Sequence, residues 1–180
     1  MRKKIIFIDV DGPLAWGTWG DGKVKINENT SNEFTIPYAW DKSDCEALQE
    51  ICDKTNAELV LSSDWKMHFT LRQMSEVFIE HGIYGKLIDT TTHLNSRQMG
   101  LWNKMSNPGL EFDRAHQILQ WVKSNKISNW IAIDDMNLGL QFKFMKPRIP
   151  MWRHVQVDGD FGYGGRLRDK IDECIIKLNR

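Results

Sequence analysis

The sequence lacks a paired CxxC, a long apolar run, an excess of either charge, an internal repeat and any low-complexity tract. Each absence removes a class of protein. The three cysteines, Cys45, Cys52 and Cys174, are an odd number without metal-ligand spacing. That argues against a disulfide framework or a zinc finger and sets a reducing, cytoplasmic location as the expectation. The five histidines (His68, His81, His93, His116 and His154) show no ligand spacing either. A basic start, Arg2-Lys3-Lys4, precedes Ile5-Ile6-Phe7-Ile8, but the run stops at Asp9. It is too short for a signal peptide or a bilayer span, so no membrane partner is expected. Lys plus Arg equals Asp plus Glu at 24 each. A net charge of zero argues against binding nucleic acid through bulk charge, while leaving room for a local basic groove. Nothing implies an obligate protein partner.

What is present fits one soluble domain of 180 residues, 41% hydrophobic and 27% charged. Three short apolar runs each end at a small or acidic residue: 4–10, 58–61 leading to Ser62-Ser63, and 130–133 leading to Asp134-Asp135. Their length and β-branched content predict buried parallel strands. Between them, helical spacing predicts helices over 41–55, capped by Asp41 or Ser43, over about 67–81 with Gly82 as the stop, over 113–125, and over about 166–178. The alternation implies a doubly wound α/β domain with a Rossmann-like central parallel sheet, in which ligands bind beyond the carboxyl ends of the strands. The three acid- or hydroxyl-terminated strands would deliver their last residues to that edge. Two stretches break the alternation. Residues 13–40 read as a flap with a small β-hairpin, and 90–111 as a long loop or small insertion.

Two carboxylates and a glycine close the first strand. Asp9-Val10-Asp11-Gly12 resembles the DxDG motif of haloacid dehalogenase (HAD) phosphatases. The order Leu61-Ser62-Ser63-Asp64-Trp65-Lys66, Asp89-Thr90-Thr91, 114–122 and Asp134-Asp135 is similar to the HAD domain of Swiss-army-knife RNA repair proteins. Residues 131–135 also resemble the phosphatase half of phage polynucleotide kinase-phosphatase. The resemblance implies a three-layer core with little or no cap. It implies Asp9 as nucleophile forming an aspartyl-phosphate and Asp11 as general acid and base. Ser62 would hold a phosphate oxygen, and Arg114 would offset charge, with Lys104 and Arg97 as alternatives. A carboxylate cannot readily approach a phosphate dianion unaided, so Mg2+ is the expected cofactor, held by Asp9, the Asp11 backbone carbonyl, Asp134 and Asp135. Gly12, Ser63, Lys66, Trp16 and Trp19 are candidate substrate contacts. Pro13 stands where many relatives have Thr or Val, and Asp64 and Lys66 stand where such families tend to carry Arg.

The remaining features have plainer readings. Trp16, Trp19 and Trp40 could stack on a base or pack the flap onto the core, and packing is favoured. Trp65, Trp121 and Trp130 read as core or strand-edge residues. Lys143, Lys146, Arg148 and Arg153 could line a groove for a phosphodiester backbone, although a solvated loop is the commoner outcome. The expected activity is hydrolysis of a phosphomonoester, on a nucleotide or a phosphorylated nucleic-acid end. A sugar or metabolite phosphatase, and a phosphate-binding module without turnover, are the alternatives.

Overall fold

The apolar run that stops at Asp9 is strand β1, Lys4–Ile8, and Ile5 to Ile8 are fully buried. Burial on both faces is why the run is continuously apolar and not alternating. The computed structural model describes residues 3–16, 39–91, 110–139, 149–158 and 165–180. The further strands are β2 (Ala15–Trp16), β3 (Ala39–Trp40), β4 (Glu58–Leu61), β5 (Leu87–Thr90), β6 (Asn129–Asp134) and β7 (His154–Gln156). Five of them form one parallel sheet in the order β5-β4-β1-β6-β7. The chain therefore winds outward from β1 through β4 to β5, then returns to β6 and β7 on the other side. The winding direction reverses at β1, and the crevice beyond that switch point is where such sheets bind ligands.

The helices are α1 (Lys42–Thr55), α2 (Leu71–Glu80), α3 (Leu110–Asn125) and α4 (Ile171–Leu178). Alternate residues of β1 face opposite layers. Ile6 and Ile8 pack with Leu48 and Ile51 of α1, Met74 and Phe78 of α2, and Cys174 and Leu178 of α4. Ile5 and Phe7 pack with Ala115, Ile118 and Trp121 of α3. Phe7 meets Trp121 and Trp130 edge-on, at centroid separations of 5.4 and 5.7 Å. The result is the expected three-layer α/β/α core. All three cysteines are free and buried, and burial pushes their thiols up to about 12, so they serve as small apolar core residues.

Asp41 is the cap of α1, accepting from the Ser43 and Asp44 N–H groups. The predicted helix at 67–81 is two pieces. Residues Asp64–Met67 make a 3-10 turn, and a Thr70–Gln73 capping box starts α2 afresh at Leu71. Gly82, at φ +79, follows it as expected. The last helix is likewise split, with a 3-10 turn at Leu167–Asp169 before α4. There Arg166 reaches across to the fully buried Asp44, whose other oxygen accepts from the Arg168 N–H at 3.1 Å, and so clamps the C-terminal segment to α1.

The flap stem is an antiparallel pair, Ala15 against Trp40 and Trp16 against Ala39, while its expected inner hairpin lies outside the described residues. Trp40 packs the stem onto the core, stacked on His81 at 4.2 Å and edge-on to Trp65 at 5.6 Å. Most of the expected insertion at 90–111 also lies outside the described residues.

Candidate active site

Asp9 and Ser62 sit one step past β1 and β4, and Asp134 is the last residue of β6, each held by ladder hydrogen bonds at the strand end. The Asp9 N–H donates to the Ile133 carbonyl at 3.1 Å, and the Ser62 N–H to the Ile8 carbonyl at 3.0 Å. The Val157 N–H donates to the Asp134 carbonyl at 3.1 Å. Asp9, Ser62 and Asp134 are thereby fixed at one sheet edge, at the switch point, and all three are buried.

Arg114 enters this edge from α3. Its Nη1 donates to Asp9 Oδ2 and, at 3.1 Å, to Asp134 Oδ2, while Nη2 lies 3.7 Å from Asp64 Oδ1. The second oxygens are occupied locally: Asp9 Oδ1 accepts from the Val10 N–H and Asp134 Oδ1 from the Met136 N–H, both at 2.9 Å. Burial opposes the Arg114 charge, but Asp9 and then Asp134 outweigh it and raise its pKa above the ordinary value. Among the described residues, one cation serves several acids here. Burial, with the charges of Asp9 and Asp135, holds Asp134 well above the carboxylate range despite Arg114. Burial and Asp9 raise Asp135 as well. Burial, then Asp9, push Asp11 up to about 7, against the Trp65 and Arg114 interactions that pull it down.

Asp9, Asp134 and Asp135 each offer a carboxylate oxygen within 4.8 Å of the others. Hard oxygen donors converging on one point suit Mg2+, which takes one or two carboxylates and fills its remaining positions with water and phosphate oxygens. Asp9 and Asp135 also repel Asp134 across the cluster, a repulsion that a dication would relieve. Ser62 Oγ is buried and has no hydrogen-bond partner among the described residues. A buried hydroxyl left unbonded costs about 1–3 kcal/mol, and an incoming phosphate oxygen would relieve that.

Gly12 turns the chain under this cluster at φ +92, with its N–H donating to the Ala15 carbonyl at 2.8 Å. A Cβ there would lie 2.7 Å from both Cβ and Cγ of Asp135. Gly12→Ala is therefore expected to strain the turn by about 1–3 kcal/mol and displace Asp135. The Mg2+ concentration that half-saturates the carboxylate cluster should rise several-fold; an unchanged value would separate Gly12 from that cluster.

The other expected contacts divide. Ser63 is fully buried, and its Oγ accepts from the Trp65 N–H at 3.4 Å, a capping position that turns it inward. Lys66 Nζ bonds to Gln117 Oε1 at 2.7 Å and Thr91 Oγ1 at 3.0 Å, tying the 3-10 turn after β4 to the residue that follows β5 and to α3. The backbone of Trp16 is in the flap stem, while Trp19, Lys104 and Arg97 lie outside the described residues. Arg153 departs from the basic-groove reading. It is buried and donates to the carbonyls of Trp130 at 2.8 Å and Ser128 at 2.7 Å, bracing the start of β6. Lys143, Lys146 and Arg148 are outside the described residues. Trp65, read from sequence as a core or strand-edge residue, has a second part: its Nε1 donates to Asp11 Oδ1 at 2.8 Å. Its place two residues beyond Ser63 in the second motif is the signal that could have found it.

Searches of curated proteins and of solved structures find no match. A family model described as the HAD domain in Swiss Army Knife RNA repair proteins matches residues 5–162, from β1 through all four motif positions. With that match spanning most of its length, the chain belongs to the HAD domain family of Swiss Army Knife RNA repair proteins, a family of phosphatase type.

Proposed function

We propose that the protein is a Mg2+-dependent phosphomonoester hydrolase that works through an aspartyl-phosphate on Asp9, with nucleotides or phosphorylated nucleic-acid ends as substrates. The observation that carries this reading is the cluster of Asp9, Asp134 and Asp135 at the switch point of the sheet. Asp9, Asp134, Asp135 and the Asp11 carbonyl would hold the ion, which when bound offsets charge between the carboxylate and the phosphate. Asp9 attacks phosphorus as the ester oxygen leaves, and Asp11 supplies the proton that oxygen needs. Asp11 then takes a proton from water as the water oxygen displaces Asp9. A carboxyl raised to about 7 suits both roles near neutral pH. Ser62 Oγ bonds a phosphate oxygen, and Arg114 keeps Asp9 aimed and partly neutralised. The family's association with RNA repair supports the nucleic-acid substrate class.

The test is phosphate release, with and without Mg2+, from nucleoside 3′- and 5′-monophosphates, end-phosphorylated oligonucleotides and sugar phosphates. Mg2+-dependent release favouring the nucleotide or oligonucleotide arms supports the reading. Preference for sugar phosphates would overturn the substrate class, and no release from any arm would overturn the activity.

Metal and protons compete for this cluster. Asp11, Asp134 and Asp135 have native pKa values above their unfolded values, so the native state holds more protons than the unfolded chain between the two. Metal-free stability contributed by these groups is present in acid and declines as pH rises through the raised values. Mg2+ needs the ionised forms. The Mg2+-induced gain in Tm should therefore be small near pH 5 and larger at pH 8. At a hundredfold excess over Kd it reaches about 2.7 kcal/mol, or about 5–10 °C. A gain independent of pH, followed by differential scanning fluorimetry, would place the ion elsewhere.

A further inference from the structure

Asp11 is half-buried at the end of the first motif, and a tryptophan holds one of its oxygens. Trp65 Nε1 lies 2.8 Å from Asp11 Oδ1 across 54 residues of sequence. An indole N–H can only donate, so Oδ1 must act as acceptor. We infer that Trp65 is a positioning residue for the general acid, fixing Oδ1 as the accepting oxygen and leaving Oδ2 to carry the transferable proton. The inference rests on Asp11 serving as the acid and base of the proposed reaction.

The indole is placed to do this rigidly. Trp65 is 5% exposed, in a 3-10 turn whose cap is Ser63. One side meets Trp40 edge-on at 5.6 Å, and another lies against Phe69 at 5.6 Å. Trp40 belongs to the flap's returning strand and is itself stacked on His81 and edge-on to Phe78 at 6.0 Å. A ring caged on several sides cannot swing, so the carboxyl it holds keeps one rotamer through both proton transfers. In the first transfer, the proton on Oδ2 goes to the ester oxygen as its bond to phosphorus breaks and the Asp9–phosphorus bond forms. In the second, Oδ2 takes a proton from water as the water oxygen bonds phosphorus and the Asp9–phosphorus bond breaks. A carboxyl free to rotate would meet the second step from a different geometry.

Placement through a general acid has a signature that loss of packing does not share. An alkyl leaving group needs the proton and nitrophenolate does not, so the test compares kcat/KM on a nucleoside monophosphate and on p-nitrophenyl phosphate. That parameter reports steps through the first irreversible one, here transfer to Asp9. Trp65→Phe keeps an aromatic ring and deletes the N–H. It should lower kcat/KM about tenfold on the nucleotide and less than about twofold on the nitrophenyl ester. In an Asp11→Asn background the same substitution should add almost nothing, because residues acting as one unit are not additive. Replacing Trp65 with β-(3-benzothienyl)alanine removes the N–H without changing ring shape, and should reproduce the Trp65→Phe pattern if Phe also disturbs folding. Equal losses on both esters, full additivity with Asp11→Asn, or an unaltered benzothienyl variant would each overturn the inference. Failure of the underlying reading is seen separately. Asp11→Asn would then match wild type on the nucleotide, and the inference would fall with it.

Discussion

Asp9→Asn should lower Mg2+-dependent phosphate release by about a thousandfold or more, while leaving the metal-free protein folded. An amide is a poor nucleophile toward phosphorus and a weaker ligand than a carboxylate, so both chemistry and metal binding suffer. The fold should tolerate the change because two electrostatic effects oppose each other. The substitution removes the ion pair between Asp9 and Arg114, but also relieves the repulsion that Asp9 exerts on Asp11, Asp134 and Asp135. The amide oxygen can still accept from the Val10 N–H, the local bond that shapes the motif. Metal-free Tm should stay within about 5 °C of wild type, consistent with a net change on the order of 1 kcal/mol. Raising Mg2+ tenfold should not restore turnover if, as proposed, the missing group is the one that bonds phosphorus. Acid-quenched wild type, stopped during turnover, should carry phosphate on the peptide containing Asp9, and the variant should carry none. A variant with near wild-type turnover would remove Asp9 as nucleophile and with it the covalent route.

The strand ends were legible because a buried parallel strand leaves a continuous apolar run, and Asp9, Ser62 and Asp134 each interrupt one. Strands β5 and β7 gave no such signal. The first is a half-buried edge, Leu-Ile-Asp-Thr, and the second has three residues, His154 to Gln156. Asp41 could be read as a cap because capping is local, whereas the restart of α2 at Thr70 was hidden by apolar residues that continue helical spacing across the 3-10 turn. Long-range polar pairing was the least legible. Only its place beside the second motif hints that Trp65 reaches Asp11, 54 residues away, and nothing near Asp44 announces Arg166, 122 residues away. Arg114 was reached through family resemblance, since a basic residue in an amphipathic helix is ordinarily solvated. Its burial against Asp9, 105 residues distant, is a tertiary fact.

That burial makes Arg114 the second site of large effect, with the opposite balance from Asp9. Among the described residues it is the cation paired with both Asp9 and Asp134, and it is itself buried. Arg114→Met keeps much of the volume and removes the charge, leaving Asp9, Asp134 and their neighbours uncompensated. Breaking a buried pair from one side costs about 3–5 kcal/mol, so the metal-free Tm should fall by about 10 °C. The loss should be larger at pH 8 than at pH 5. Without the guanidinium the acids hold their protons to higher pH, which neutralises the cluster in acid and leaves it charged in base. Mg2+ brings positive charge to the same carboxylates and should recover most of the lost Tm. On the proposed mechanism it should not recover turnover, because a dication on these carboxylates does not reproduce a directed N–H on the proposed nucleophile, Asp9. The expected pattern is a metal-stabilised variant about a hundredfold less active at saturating Mg2+. If Mg2+ fails to restore Tm, Arg114 stabilises through packing and the shared-charge account of the cluster is wrong. If turnover returns together with Tm, the guanidinium serves folding alone, and charge at this sheet edge can come from either source.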